Sequence, residues 1–150
     1  MKLQFLCPTH RQQLSTNPSY AISCWQNGVD TARSLIDVGQ WHEALTHIGC
    51  AFEAAEIIMT SGAMARHQAC DIFSSAAVKL ADLFIKVDQQ QHAQLVYSLT
   101  TARLKHEQHK YSDCSEQIEQ LLNKVAERSD RLTGLTKART SINKLTTTVH

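Results

Sequence analysis

The sequence predicts an all-α fold of five to six helices, arranged as antiparallel hairpins in one right-handed stack. Three observations lead there. Apolar residues recur at steps of three and four along most of the 150 residues. Five glycines and two prolines are too few for the frequent turns of an all-β chain. The β-branched residues are scattered, and no alternating run is bounded by turn dipeptides. A hydrophobic share of 43% with a net charge of +1 also excludes a wholly disordered chain.

Pro8 suits the first turn of a short leading helix over about 8–16. Asn17-Pro18 then supplies an N-cap and a first-turn proline. The stripe Ala21, Ile22, Trp25, Val29, Ala32, Leu35 and Ile36 follows, stopped by Val38-Gly39-Gln40. A second stripe runs Trp41, Ala44, Leu45, Ile48, Phe52, Ala55 and ends at Thr60-Ser61-Gly62. The third, from Ala65 through Ala69, Ile72, Phe73, Ala76, Leu80 and Phe84 to Val87, fills 63–87. Asp88 and three glutamines connect it onward. Leu95, Val96, Leu99 and Ala102 open a further helix, and apolar support thins from Lys105 to Ser115. Ser112-Asp113 offers a new cap before Ile118, Leu121, Leu122 and Val125, so 90–130 reads either as two helices or as one with an exposed middle. A single domain over 1–132 results. The Thr-, Ser- and Lys-rich tail 133–150 carries only Leu135, Ile142, Leu145 and Val149, and is expected to be flexible or to need a partner to bury that stripe.

Residues 25–58 carry more than periodicity. Ala32 and Leu35, then Gly39, Trp41, Glu43-Ala44-Leu45 and Ala51 follow a pattern of small residues, large residues and one turn glycine. Small residues let two antiparallel helices approach, and large ones fill the gaps between them. This segment resembles a tetratricopeptide repeat. An echo, Phe84 to Asp88 followed by Gln91 to Leu95, lies about 49–50 residues later without the glycine or the aromatic, so the likeness is to the unit and not to a regular array. The resemblance implies an adaptor that binds a protein or peptide on the inner side of its first helices. The positions that face that groove in the family map onto Gln26, Asp30, Arg33 and Asp37. The family's Lys/Asn clamp for a free carboxylate terminus is missing, so recognition of a C-terminus is not implied.

Function follows from what the motifs allow. No phosphate loop, dinucleotide fingerprint or nucleophile elbow is present, and no Glu has a His three residues later, which excludes a carboxylate-bridged di-iron bundle. Residues 1–100 hold six Lys/Arg and eight Asp/Glu, and 101–150 hold nine and six, with Tyr111 the one aromatic of the latter part. That imbalance is too mild and too poor in aromatics for a nucleic-acid surface. No run of apolar residues is long enough to span a membrane and no secretory leader fits the start, so a cytoplasmic location is expected.

Eight His and five Cys are the one enrichment. Four pairs are spaced i,i+3: Cys7/His10, His47/Cys50, His67/Cys70 and His106/His109. The best composite joins His47/Cys50 to His67/Cys70 across Gly62. The two Cys would share a height, whereas the two His would stand roughly 12 Å apart along the axis, too far for one tetrahedral ion. Cys24, Cys50 and Cys70 lie within apolar stripes and read as small buried residues, and Trp25 and Trp41 read as core. The expectation is a non-enzymatic interaction module with no cofactor and no metal. The alternative is a homodimeric helical bundle responding to metal or redox state through its Cys and His.

Overall fold

The computed structural model describes residues 3–147. After a non-helical segment, six α-helices follow: α1 (Pro8–Thr16), α2 (Pro18–Asp37), α3 (Trp41–Ser61), α4 (Arg66–Lys86), α5 (Gln90–Lys110) and α6 (Ser115–Thr147). A 3-10 turn at Ser112–Cys114 separates the last two, so 90–130 is two helices and not one. Each helix from α2 to α6 packs on the next, and α1 lies across α3 and α2. The chain is thus an all-α stack of antiparallel helices. No helix among the described residues is long and apolar enough to cross a membrane.

Local chemistry sets the boundaries. The Asn17 carboxamide accepts from Tyr20 N at 3.3 Å while Pro18 occupies the first turn of α2. Helix α2 ends at Gly39, whose φ of +77° is a left-handed conformation, and Gln40 N donates to Leu35 O at 2.9 Å across the turn. The same turn closes α4. There Asp88 holds φ of +62°, and Gln89 N donates to Phe84 O at 2.8 Å. A shift of 49 residues carries Trp41–Ser61 onto Gln90–Lys110 and Asp37 onto Lys86. It also carries the buried pair Ala32 and Ala44 onto the buried pair Ala81 and Ala93. The faint echo in the sequence is therefore a structural repeat of the hairpin, with helices of 20 and 21 residues in place of a 34-residue unit.

The core centres on α3 and α4. From Ala51 to Met59 nearly every side chain of α3 is buried, because α2, α4, α1 and the N-terminal segment cover it from different sides. Phe52 stacks on Phe73 of α4 with ring centroids 5.1 Å apart. Helices α2 and α3 approach to backbone contact: a Cβ on Gly28 would lie 2.8 Å from His47 O and 3.0 Å from the Ala51 Cβ.

One sequence expectation needs correction. Trp41 is not in the core. It opens α3 at the end of the stack, 37% exposed, with the Lys86 ammonium 4.8 Å above its ring. Trp25 is half-buried beside α4. Trp41 is the first residue of α3, beside the α2–α3 turn, so its indole stays at the surface, whereas Trp25 packs against the core. In the tail, burial stops at Leu132, the last core residue of α6, and the helix runs on unbroken to Thr147, with the side chains of 133–146 exposed.

Glycine substitutions separate close packing from helix propensity. Gly28→Ala should lower stability by about 1–3 kcal/mol, because the added methyl meets backbone that cannot yield. Gly134→Ala on α6, where a Cβ meets nothing within 4 Å, should raise stability by about 0.5–1 kcal/mol. Urea unfolding of both variants checks the opposite signs.

Candidate functional site

The most elaborated surface lies over α3, between the N-terminal segment and α5. Glu53 interrupts an otherwise apolar run on α3 and is 6% exposed. Its carboxylate accepts from Phe5 N at 3.0 Å and from Leu6 N at 2.7 Å. Arg11 of α1 reaches it at 3.5 Å and reaches Glu56, one turn along, at 3.2 Å. Two backbone donors and a guanidinium compensate the desolvated charge. Residues 3–7 are thereby held as a non-helical strap against α3, bent at Leu6, whose side chain is buried. The Phe5 ring lies on Gly49, where a Cβ would collide with it.

This strap forms one wall of a cleft of about 630 Å³. Phe52 is the floor, Leu3 and Pro8 stand on the strap side, and Leu95 and Leu99 of α5 stand opposite. Leu99 is 43% exposed. Arg11, Glu53 and Glu56 supply a charged rim. The depression continues along α3 as a second cleft of about 470 Å³, past Ile57 and Thr60 to Arg103. Arg103 donates to Thr60 Oγ1 at 2.6 Å and pairs with the buried Glu107 at 3.4 Å. The two clefts share Arg11 and Glu56, so they make one groove with an apolar head and a polar foot.

The four residues expected from the sequence to face a groove are on α2. Gln26, Asp30, Arg33 and Asp37 are all exposed along α2, and Arg33 pairs with Asp30 at 3.8 Å. The shallow cleft between α2 and α4 is lined from α2 by Trp25 and Val29, on a neighbouring face of the helix. The strap groove escaped the sequence reading. Its one signal was Glu53, a carboxylate set among Ala51, Phe52, Ala54 and Ala55.

The Cys and His groups do not converge. Among the described residues no three His, Cys, Asp or Glu side chains come together as a metal ion would require. The five cysteines are free thiols. Burial pushes the Cys24 thiol up; burial, then Cys24 and Glu53, push Cys50 up. For Cys70, burial and then the nearby Glu107 raise it to about 11. A thiol raised in this way stays protonated at neutral pH and is a poor nucleophile or metal ligand. No protein-family model, no curated protein and no solved structure matches this chain.

The Cys70 shift gives a pH dependence. The unfolded thiol ionises near its ordinary value of 9.0 and the folded one near 11. Between those values the unfolded chain loses the proton first, so the contribution to stability is whole below about pH 9 and falls as pH rises towards 11. Denaturation midpoints measured from pH 8 to 11 should fall more steeply for the native chain than for Cys70→Ala.

Proposed function

We propose that this chain is a non-enzymatic helical interaction module that takes a peptide or partner helix into the strap groove over α3. The observation that carries the reading is the exposed apolar head of that groove: Leu99, Leu95 and Phe52 line an open cleft whose rim is charged. Apolar anchors flanked by charge are how grooves of this kind seat an amphipathic segment, the apolar residues giving affinity and the rim fixing register. The internal repeat supports the same reading, since stacked hairpins present long rigid surfaces suited to extended partners.

Glu53 already receives two backbone N–H groups from a non-helical segment of this chain. The strap leaves Leu95 and Leu99 facing it across the cleft, so an occupant packs alongside the strap rather than displacing it. The thiol shifts on Cys24, Cys50 and Cys70 count against a redox-responsive role at those three positions.

Selection of binders from a random peptide library tests the proposal. Leu99→Asp should weaken the selected peptides at least about tenfold, since a buried leucine contact is worth about 1.5–3 kcal/mol. Arg33→Asp on the outer side of α2 should leave them unchanged. Peptides indifferent to Leu99→Asp but lost with Arg33→Asp would return the site to α2.

A further inference from the structure

A basic cleft of about 550 Å³ lies between α4 and α6, and it shares no lining residue with the strap groove. Two cross-helix bonds set how its walls lie. Gln117 of α6 donates to Asp71 of α4 at 2.9 Å, and Arg128 of α6 donates to Asp82 of α4 at 3.4 Å. The partners of each bond are 46 residues apart, so α4 and α6 run parallel in one fixed register. That register sets Lys124 opposite Val78, one residue from Lys79, and all three line the cleft.

Four cations line the cleft, Lys79, Lys124, Arg128 and Arg131, against two carboxylates, Asp71 and Glu127. The carboxylates are engaged. Asp71 holds the Gln117 amide, and Glu127 pairs with Arg131 at 3.3 Å. Arg128 is matched by Asp82, just outside the lining. With Asp82 counted, an excess of positive charge remains, and it sits on Lys79 and Lys124, which take part in no ion pair among the described residues. Two ammonium groups held this close repel, unless an anion comes between them. Ser74 points the same way. It is 5% exposed, it lines the cleft, and its hydroxyl bonds to no described residue. A hydroxyl this deeply set normally has a partner, so its donor is left for whatever occupies the cleft.

The ridge of Asp71, Ser75 and Lys79 on α4 also walls the smaller cleft against α2, where Trp25, Val29 and Ile72 supply an apolar surface. Lys79 thus has the basic cleft on one side and an indole on the other. We propose that the α4–α6 cleft binds a small organic phosphate, with the phosphate between Lys79 and Lys124, Ser74 donating to it, and a flat apolar group lying across the ridge on Trp25. A phosphate monoester carries about −1.5 to −2 charge at neutral pH and three strong acceptor oxygens, which suits two ammonium groups and a hydroxyl better than a singly charged carboxylate does. The cleft has the dimensions of a small-molecule site.

Calorimetric titration of the full chain at low ionic strength with inorganic phosphate, phenyl phosphate and phenol tests this, with the indole N–H NMR signals followed in parallel. Inorganic phosphate should bind. Phenyl phosphate should bind more tightly and move the Trp25 signal while the Trp41 signal stays, and phenol alone should not bind. Lys79→Gln with Lys124→Gln should weaken phenyl phosphate at least about tenfold, and Ser74→Ala should weaken it several-fold, with helicity retained by circular dichroism. Lys105→Gln with Lys137→Gln removes the same charge elsewhere and should leave the affinity unchanged, as should Leu99→Asp in the strap groove. Failure of both phosphates to bind at millimolar concentration overturns the proposal. So does an equal loss from the Lys105 and Lys137 pair, which would make the attraction a general one. Phenyl phosphate that binds no more tightly than inorganic phosphate and leaves the Trp25 signal in place overturns it as well.

Discussion

The structure depends on the close approach of α2 and α3 at Gly28. With no side chain there, the backbone of α2 comes within reach of His47 O and Ala51 on α3. Alanines at 32, 44, 51, 54 and 55 keep the rest of the contact equally thin. Small residues remove bulk but supply little hydrophobic burial of their own, so the energy comes from what the close approach exposes to further packing. Here that is the Phe52–Phe73 stack with Ile48, Ile58 and Leu80 around it. A wider α2–α3 spacing would lift α3 off this cluster and open the interior to water.

Everything on the functional side inherits the placement of α3. Because α2 and α4 already cover two sides of it, the remaining side can accept only something thin. A non-helical strap and the short α1 fill that role, and the backbone N–H groups of the strap need an acceptor, which Glu53 provides. The carboxylate is buried at a cost that only its donors and Arg11 repay. What is left between strap and α5 is the groove, lined by Leu3, Phe52, Leu95 and Leu99 at its head. The same logic explains the end of the stack. Helix α6 is covered on one side only, its burial ends at Leu132, and the helix continues beyond the body that supports it.

Much of this was legible in the residues. Pro8, Asn17-Pro18, Gly39 and Gly62 punctuate the chain where the helices begin and end, because capping and left-handed turns have strong local residue preferences. The third stripe gave a helix from 63, and the structure starts it at Arg66, since Gly62 to Ala65 are spent reversing the chain. The second turn was harder to read because Asp88 takes the left-handed position that glycine fills at 39, and an aspartate there looks like any polar loop residue. The exposure of Trp41 has a physical cause. Periodicity marks which face of a helix is apolar, but not whether a neighbour exists to cover it. A strap pinned by one buried carboxylate depends on contacts across more than forty residues, which local pattern does not encode.

Helix α3 is the most deeply held element, and residue-resolved hydrogen exchange tests that directly. The slowest amides should lie between Ala51 and Ile58, and the Phe5 and Leu6 amides should be protected far beyond what an extended terminal segment normally shows, because Glu53 holds them. Exchange in α3 as fast as in α1, or unprotected amides at Phe5 and Leu6, would contradict it.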